Sequence, residues 1–171
     1  MNLYLIGFMG AGKSTLGPKV ARRLNWSFVD SDQEVESLAG QPLERIFGQQ
    51  GERAFRRYES QVLRALSRLD RHVVAVGGGA PAVEENWIYL RQGFSLYLDL
   101  SADQLQRRLQ GEARPLLAGL SQARRLQRIQ ALLQERDPYY RRANLAVCAA
   151  ADPESVCRLI VREVRRCNWF K

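Results

Sequence analysis

Residues 7–15 read Gly7-Phe8-Met9-Gly10-Ala11-Gly12-Lys13-Ser14-Thr15, a G-x-x-x-x-G-K-[ST] run that follows a short apolar segment and opens a helical pattern. Strand, loop and helix in that order are the setting in which such a run cradles phosphate. The glycines let backbone N–H groups converge on phosphate oxygens, the helix N-terminus adds its positive dipole, and the Lys13 ammonium neutralises the outer oxygens. Ser14 is then left to ligate magnesium. A plain glycine turn between strand and helix would not need a Lys-Ser pair at this spacing. Pro18 removes the N–H that would bond back to Ser14, which predicts a local kink in the helix.

Outward from this loop the chain alternates short apolar runs with longer helical patterns. Strands are predicted over residues 3–6, 27–29, 73–76, 95–98 and 146–148, with helices near 14–24, 51–69, 84–91, 102–109, 122–136 and 154–166. Right-handed crossovers between such strands give a parallel sheet with helices on both faces, whose ligands bind beyond the carboxyl ends of the strands. The residues following each strand are therefore the candidates for chemistry.

Length and composition narrow the function classes. The 171 residues suit one domain, and 46% hydrophobic with 26% charged residues suits a globular chain rather than a disordered one or a rod. No apolar run approaches the roughly 20 residues of a membrane span, and the stretch from Leu3 to Ala11 has no basic lead, so a cytoplasmic protein is expected. The formal charge of +8 comes almost wholly from arginine, since lysine occurs only as Lys13, Lys19 and Lys171. Arginine's planar fork favours small carboxylates and phosphates over a general polyanion. Cys148, Cys157 and Cys167 form neither a paired framework nor a zinc motif, which suits a reducing compartment.

After the second strand come Asp30, Ser31 and Asp32, two carboxylates at the ligand end of the sheet. One suits a magnesium ion, directly or through water; the other could accept a proton from an attacking hydroxyl, or simply cap the next helix. In Phe55-Arg56-Arg57-Tyr58-Glu59, Arg56 and Glu59 share a helix face, and composition alone favours a solvent-exposed ion pair. After the third strand, Gly77, Gly78 and Gly79 would let a ligand approach bare backbone. His72, before that strand, reads as structural. The stretch 110–121, with Arg114 between glycines, suits either a solvated basic loop or a mobile lid that brings arginine charge to the transition state and excludes water. Arg136-Asp137-Pro138-Tyr139-Tyr140 closes the helix after it.

GFMGAGKST, DSD, FRRYE, GGGA, RPLLAG and RDPYY, in this order and spacing, resemble shikimate kinase, a P-loop kinase of the nucleoside-monophosphate-kinase-like group, across essentially the whole chain. The resemblance implies an α/β/α sandwich on the P-loop NTPase fold, with a five-stranded parallel sheet of order 2-3-1-4-5. It implies a single domain over 1–171, a shikimate-binding subregion at about 31–60 and a lid at about 110–121. The implied reaction is ATP-dependent phosphorylation of the shikimate 3-hydroxyl in aromatic amino-acid biosynthesis, with Mg2+ as cofactor. Lys13, Asp32 and Arg114 are the implied catalytic residues. ATP falls to Gly10, Ala11, Gly12, Lys13, Ser14, Thr15 and Arg114, with Arg107 or Arg108 and Pro153 near adenine. Shikimate falls to Asp32, Arg56, Glu59, Gly77, Gly78, Gly79 and Arg136, with Arg56 and Arg136 on its carboxylate, and magnesium to Ser14 and Asp30. A monomer is expected, with shikimate and ATP as partners and neither nucleic acid nor membrane. Two rivals are a related kinase of gluconate or a nucleoside monophosphate, and a binding protein that lacks activity.

Overall fold

The computed structural model describes residues 1–110 and 115–167. Five strands form one parallel sheet: β1 (Leu3–Ile6), β2 (Ser27–Asp30), β3 (His72–Ala75), β4 (Phe94–Asp99) and β5 (Leu145–Cys148), in the spatial order β2-β3-β1-β4-β5. The expected order is thus observed, and each strand lies within two residues of its predicted bounds. All pairings are parallel, with Leu5 of β1 opposite Ala75 on one side and Leu96 on the other. β1 is buried along its whole length, as a central strand covered on both faces must be.

The helices are α1 (Lys13–Leu24), α2 (Ser31–Ala39), α3 (Leu43–Leu66), α4 (Trp87–Leu90), α5 (Ala102–Arg108), α6 (Gln122–Tyr140) and α7 (Pro153–Arg166). α1 runs through Pro18 as one helix, so the predicted kink does not interrupt it; the proline sits in the second turn and removes a single backbone donor. α3 is longer than expected, because a first limb from Leu43 joins the predicted helix across Gly51, whose φ of 77° and ψ of 170° break the helical path. α6 continues four residues past its predicted end, with Pro138 inside it.

One hydrophobic core fills both sides of the sheet. Tyr4, Leu5, Val74, Leu96 and Tyr97 form its centre, and Leu16, Leu63, Ile129, Tyr140 and Ile160 face it from α1, α3, α6 and α7. Burying side chains of this size contributes about 1.5–3 kcal/mol each. His72 opens β3 with its Nδ1 2.6 Å from the Asp70 carbonyl, at the opposite end of the sheet from the phosphate loop. That agrees with a structural role.

Candidate active site

The carboxyl ends of β1, β2 and β3 converge on a cavity of about 440 Å³ lined by Gly10, Gly12, Lys13, Ser14, Thr15, Asp30, Asp32 and Gly78. Its floor is the phosphate loop. Gly10 and Gly12 hold φ of 77° and 97°, a left-handed backbone that glycine adopts freely. Gly12 is the N-cap of α1, with no side-chain cap and no acidic residue in the first turn, so the orphan N–H groups of this helix keep their positive field for an anion. Ala11 is fully buried beneath the loop, and its carbonyl accepts from Arg108 at 3.2 Å.

Lys13 does more than await phosphate. Its ammonium donates to the carbonyls of Gly7 and Phe8 at 2.8 and 2.9 Å, which braces the loop against its own helix. The Ser14 hydroxyl donates to Asp30 Oδ2 at 2.5 Å. A hydroxyl and a carboxylate at this separation are hard oxygen donors of the kind magnesium takes in small number, filling the rest of its shell with phosphate and water. Among the described residues no group of three His, Cys, Asp or Glu could form an all-protein cage.

Asp30, not Asp32, caps α2. Its Oδ1 accepts from the Asp32 backbone N–H at 3.0 Å, and the helix begins at Ser31, ahead of the Gln33 start that a cap at Asp32 would give. The Asp32 side chain lines two cavities that meet at it, one holding the phosphate loop and a second lined by Phe47, Arg56, Glu59, Gly79 and Arg136. Met9 and Gly78 border both cavities as well.

In the second cavity Arg56 donates through Nη1 to Glu59 at 2.5 Å and through Nη2 to Glu52 at 2.7 Å. The pair faces inward, against the expectation from composition, because this face of α3 lies against the glycine loop that follows β3. Burial pushes the Glu59 carboxyl up to about 7, an effect opposed by Arg56 and reinforced by the Asp32 charge. Arg136 is 4% exposed, with its guanidinium 5.9 Å from the Phe8 ring centroid. The glycine loop lets these groups close up. A Cβ on Gly77 would lie 2.5 Å from Asp32 Oδ1 and 2.7 Å from Glu59 Oε1, and one on Gly79 would lie 2.1 Å from Arg56 Nη1.

Arg108 and Pro153 also line the first cavity, where Arg108 donates to the Ala149 carbonyl at 2.6 Å. Arg107 is turned back along α5 toward the Asp103 carbonyl. Arg114, with the rest of residues 111–114 from the stretch 110–121 expected to form a lid, lies outside the described residues. The apolar wall of the second cavity, Leu43, Phe47 and Leu116, was not assigned residue by residue to the acceptor from the sequence.

The shikimate kinase family model matches residues 9–165. A shikimate kinase of Synechococcus sp. (strain RCC307) is 46% identical over 156 residues, covering 90% of this chain and 78% of that protein. Another, of Synechococcus elongatus, is 40% identical over 167 residues, covering 96% and 86%. Among solved structures, a shikimate kinase from Acinetobacter baumannii in complex with shikimate superposes with a TM-score of 0.92 at 33% identity, covering 99% of this chain and 95% of that one. A gluconokinase from Sinorhizobium meliloti reaches 0.64 at 16% identity, over 97% of this chain and 92% of that one, a likeness of fold alone.

Proposed function

Because the chain belongs to the shikimate kinase family and therefore phosphorylates shikimate with ATP, we propose that its two joined cavities divide the co-substrates, with Asp32 at the point of transfer. The observation that carries this is the position of Asp32, which borders both the phosphate loop and the arginine-lined cavity.

On this reading ATP lies in the first cavity with its phosphates on Gly10 to Thr15 and its base toward Arg108 and Pro153. Ser14 and Asp30 hold magnesium, which when bound neutralises charge on the phosphate oxygens. Lys13 stabilises the transferring phosphoryl group, and Arg114 joins it from the lid at about 110–121. Shikimate occupies the second cavity with its carboxylate between Arg56 and Arg136, and Glu59 orients Arg56. Gly77, Gly78 and Gly79 form a wall without side chains, so the ring can come close. Asp32 then orients the 3-hydroxyl for in-line attack and takes its proton, giving 3-phosphoshikimate and ADP.

We further read residues 1–171 as a single kinase domain with an acceptor subregion at about 31–60, monomeric and cytoplasmic, whose ligands are shikimate and ATP and not nucleic acid or membrane. Among the described residues no helix is long and apolar enough to cross a membrane. The experiment is coupled ADP release with shikimate, gluconate and nucleoside monophosphates as acceptors. Turnover with shikimate alone is expected, and Asp32→Asn should abolish it while ATP still binds. Equal turnover with gluconate, or loss of ATP binding in Asp32→Asn, would overturn the assignment.

A further inference from the structure

Tyr140 is completely buried in the last turn of α6, one helical turn beyond Arg136. Its hydroxyl donates to the Gly78 carbonyl at 2.5 Å, and the positive charge of Arg136, one turn back on the same helix, lies close enough to act on the phenol. A phenol has a single O–H to donate, and here it goes to the Gly78 carbonyl, so this bond ties the helix end that carries Arg136 to the glycine loop. Burial raises the phenol up to about 12, against the opposing charge of Arg136, so the hydroxyl stays protonated and the bond to Gly78 persists at any working pH.

The surroundings fix this bridge in place. The Tyr140 ring packs on that of Tyr97 with centroids 5.2 Å apart, and the Tyr97 hydroxyl donates to Asp137 Oδ1 at 3.2 Å. Asp137 adjoins Arg136 in the chain. The end of α6 is thus fastened to β4 through Asp137 and to the glycine loop through Tyr140, with Arg136 one residue before the first fastening and one turn before the second.

We infer that Tyr140 is a positioning residue for the acceptor, whose hydroxyl sets the separation between the Arg136 guanidinium and the Gly78 wall and so the fit of the acceptor carboxylate. The inference rests on the reading of Arg136 as a carboxylate-binding residue. Removing the hydroxyl leaves the ring packing intact but lets Arg136 settle elsewhere, and it strips a partner from the half-buried Gly78 carbonyl.

The test is steady-state kinetics with shikimate and ATP on the full chain, comparing Tyr140→Phe, Arg136→Leu and the double variant, with circular dichroism as a check on folding. Tyr140→Phe should raise the KM for shikimate roughly tenfold, the size of one lost hydrogen bond, and leave the KM for ATP within about twofold. In the Arg136→Leu background the same change should add less than about twofold, because the group it positions is gone. If Arg136→Leu raises the KM for shikimate but Tyr140→Phe does not, the inference fails and the reading of Arg136 stands. If Tyr140→Phe raises both KM values together, or multiplies fully with Arg136→Leu, the tyrosine is only structural and the inference fails. If Arg136→Leu leaves the KM for shikimate unchanged, the underlying reading fails first.

Discussion

Arg56 and Glu59 are one helical turn apart on α3 with their charged ends 2.5 Å from each other, yet the Glu59 side chain is 2% exposed and that of Arg56 is 19%. The glutamate is the buried member, and the arginine reaches outward past it to the exposed Glu52. Pairing at the surface contributes little, whereas a buried carboxylate depends on its partner.

That burial makes stability depend on pH. Glu59 titrates near 4.5 in the unfolded chain and at about 7 in the folded one, so the folded state binds the proton more tightly. Its contribution to stability is therefore complete below about pH 4.5 and is lost as the pH rises through about 7, a change on the order of 3 kcal/mol at most. Denaturant unfolding of the parent and Glu59→Gln between pH 5 and 8 should show a downward slope that the glutamine variant lacks. Parallel profiles would mean that Glu59 is ionised throughout.

Gly79→Ala should damage the site and spare the fold. The backbone at Gly79, with φ of −94° and ψ of −19°, accepts alanine without strain, but the new methyl would meet Arg56 Nη1 at 2.1 Å. The guanidinium is the end of a flexible side chain and can swing away, leaving Glu59 without its partner. We expect a KM for shikimate raised about tenfold or more with the ATP value nearly unchanged. Calorimetry should find the melting temperature lowered by only a few degrees; a large loss would show that the loop itself cannot accept a side chain.

Lys13→Met should reduce turnover at least about a hundredfold, since charge on the transferring phosphoryl group loses its cation. It should also cost stability, because the Gly7 and Phe8 carbonyls lose the donor that braces them. That loss amounts to about 1–2 kcal/mol, or a few degrees of melting temperature. Reduced turnover with unchanged melting would mean that the bracing bonds contribute nothing net.

The phosphate loop was readable in full, because the chemistry of its motif fixes both spacing and setting. The inner strands β1, β3 and β4 were readable because their largely apolar runs suit a sheet covered on both faces. The first limb of α3 was not, since Pro42, Gly48 and Gly51 punctuate it as if it were a loop, and only packing of Ile46 and Phe47 on the core makes it a helix. The end of α6 was misjudged for a similar reason: Pro138 signals a stop, but bonds from Tyr97 to Asp137 and from Tyr140 to Gly78 hold the helix through it. For the acceptor residues, the sequence shows that Arg56 and Glu59 share a face but not which way the face turns. Resemblance to a family supplied that direction.

Met9, Asp32 and Gly78 border both cavities, and of these only Gly78 has no side chain. A synthetic inhibitor that joined a nucleotide mimic to an acceptor mimic would therefore cross bare backbone at that residue, where the linker meets the least steric resistance. On the proposed division of the co-substrates, resistance to such a compound by substitution at Gly78 would narrow the same opening through which the phosphoryl group passes, so escape would carry a penalty in the enzyme's own turnover.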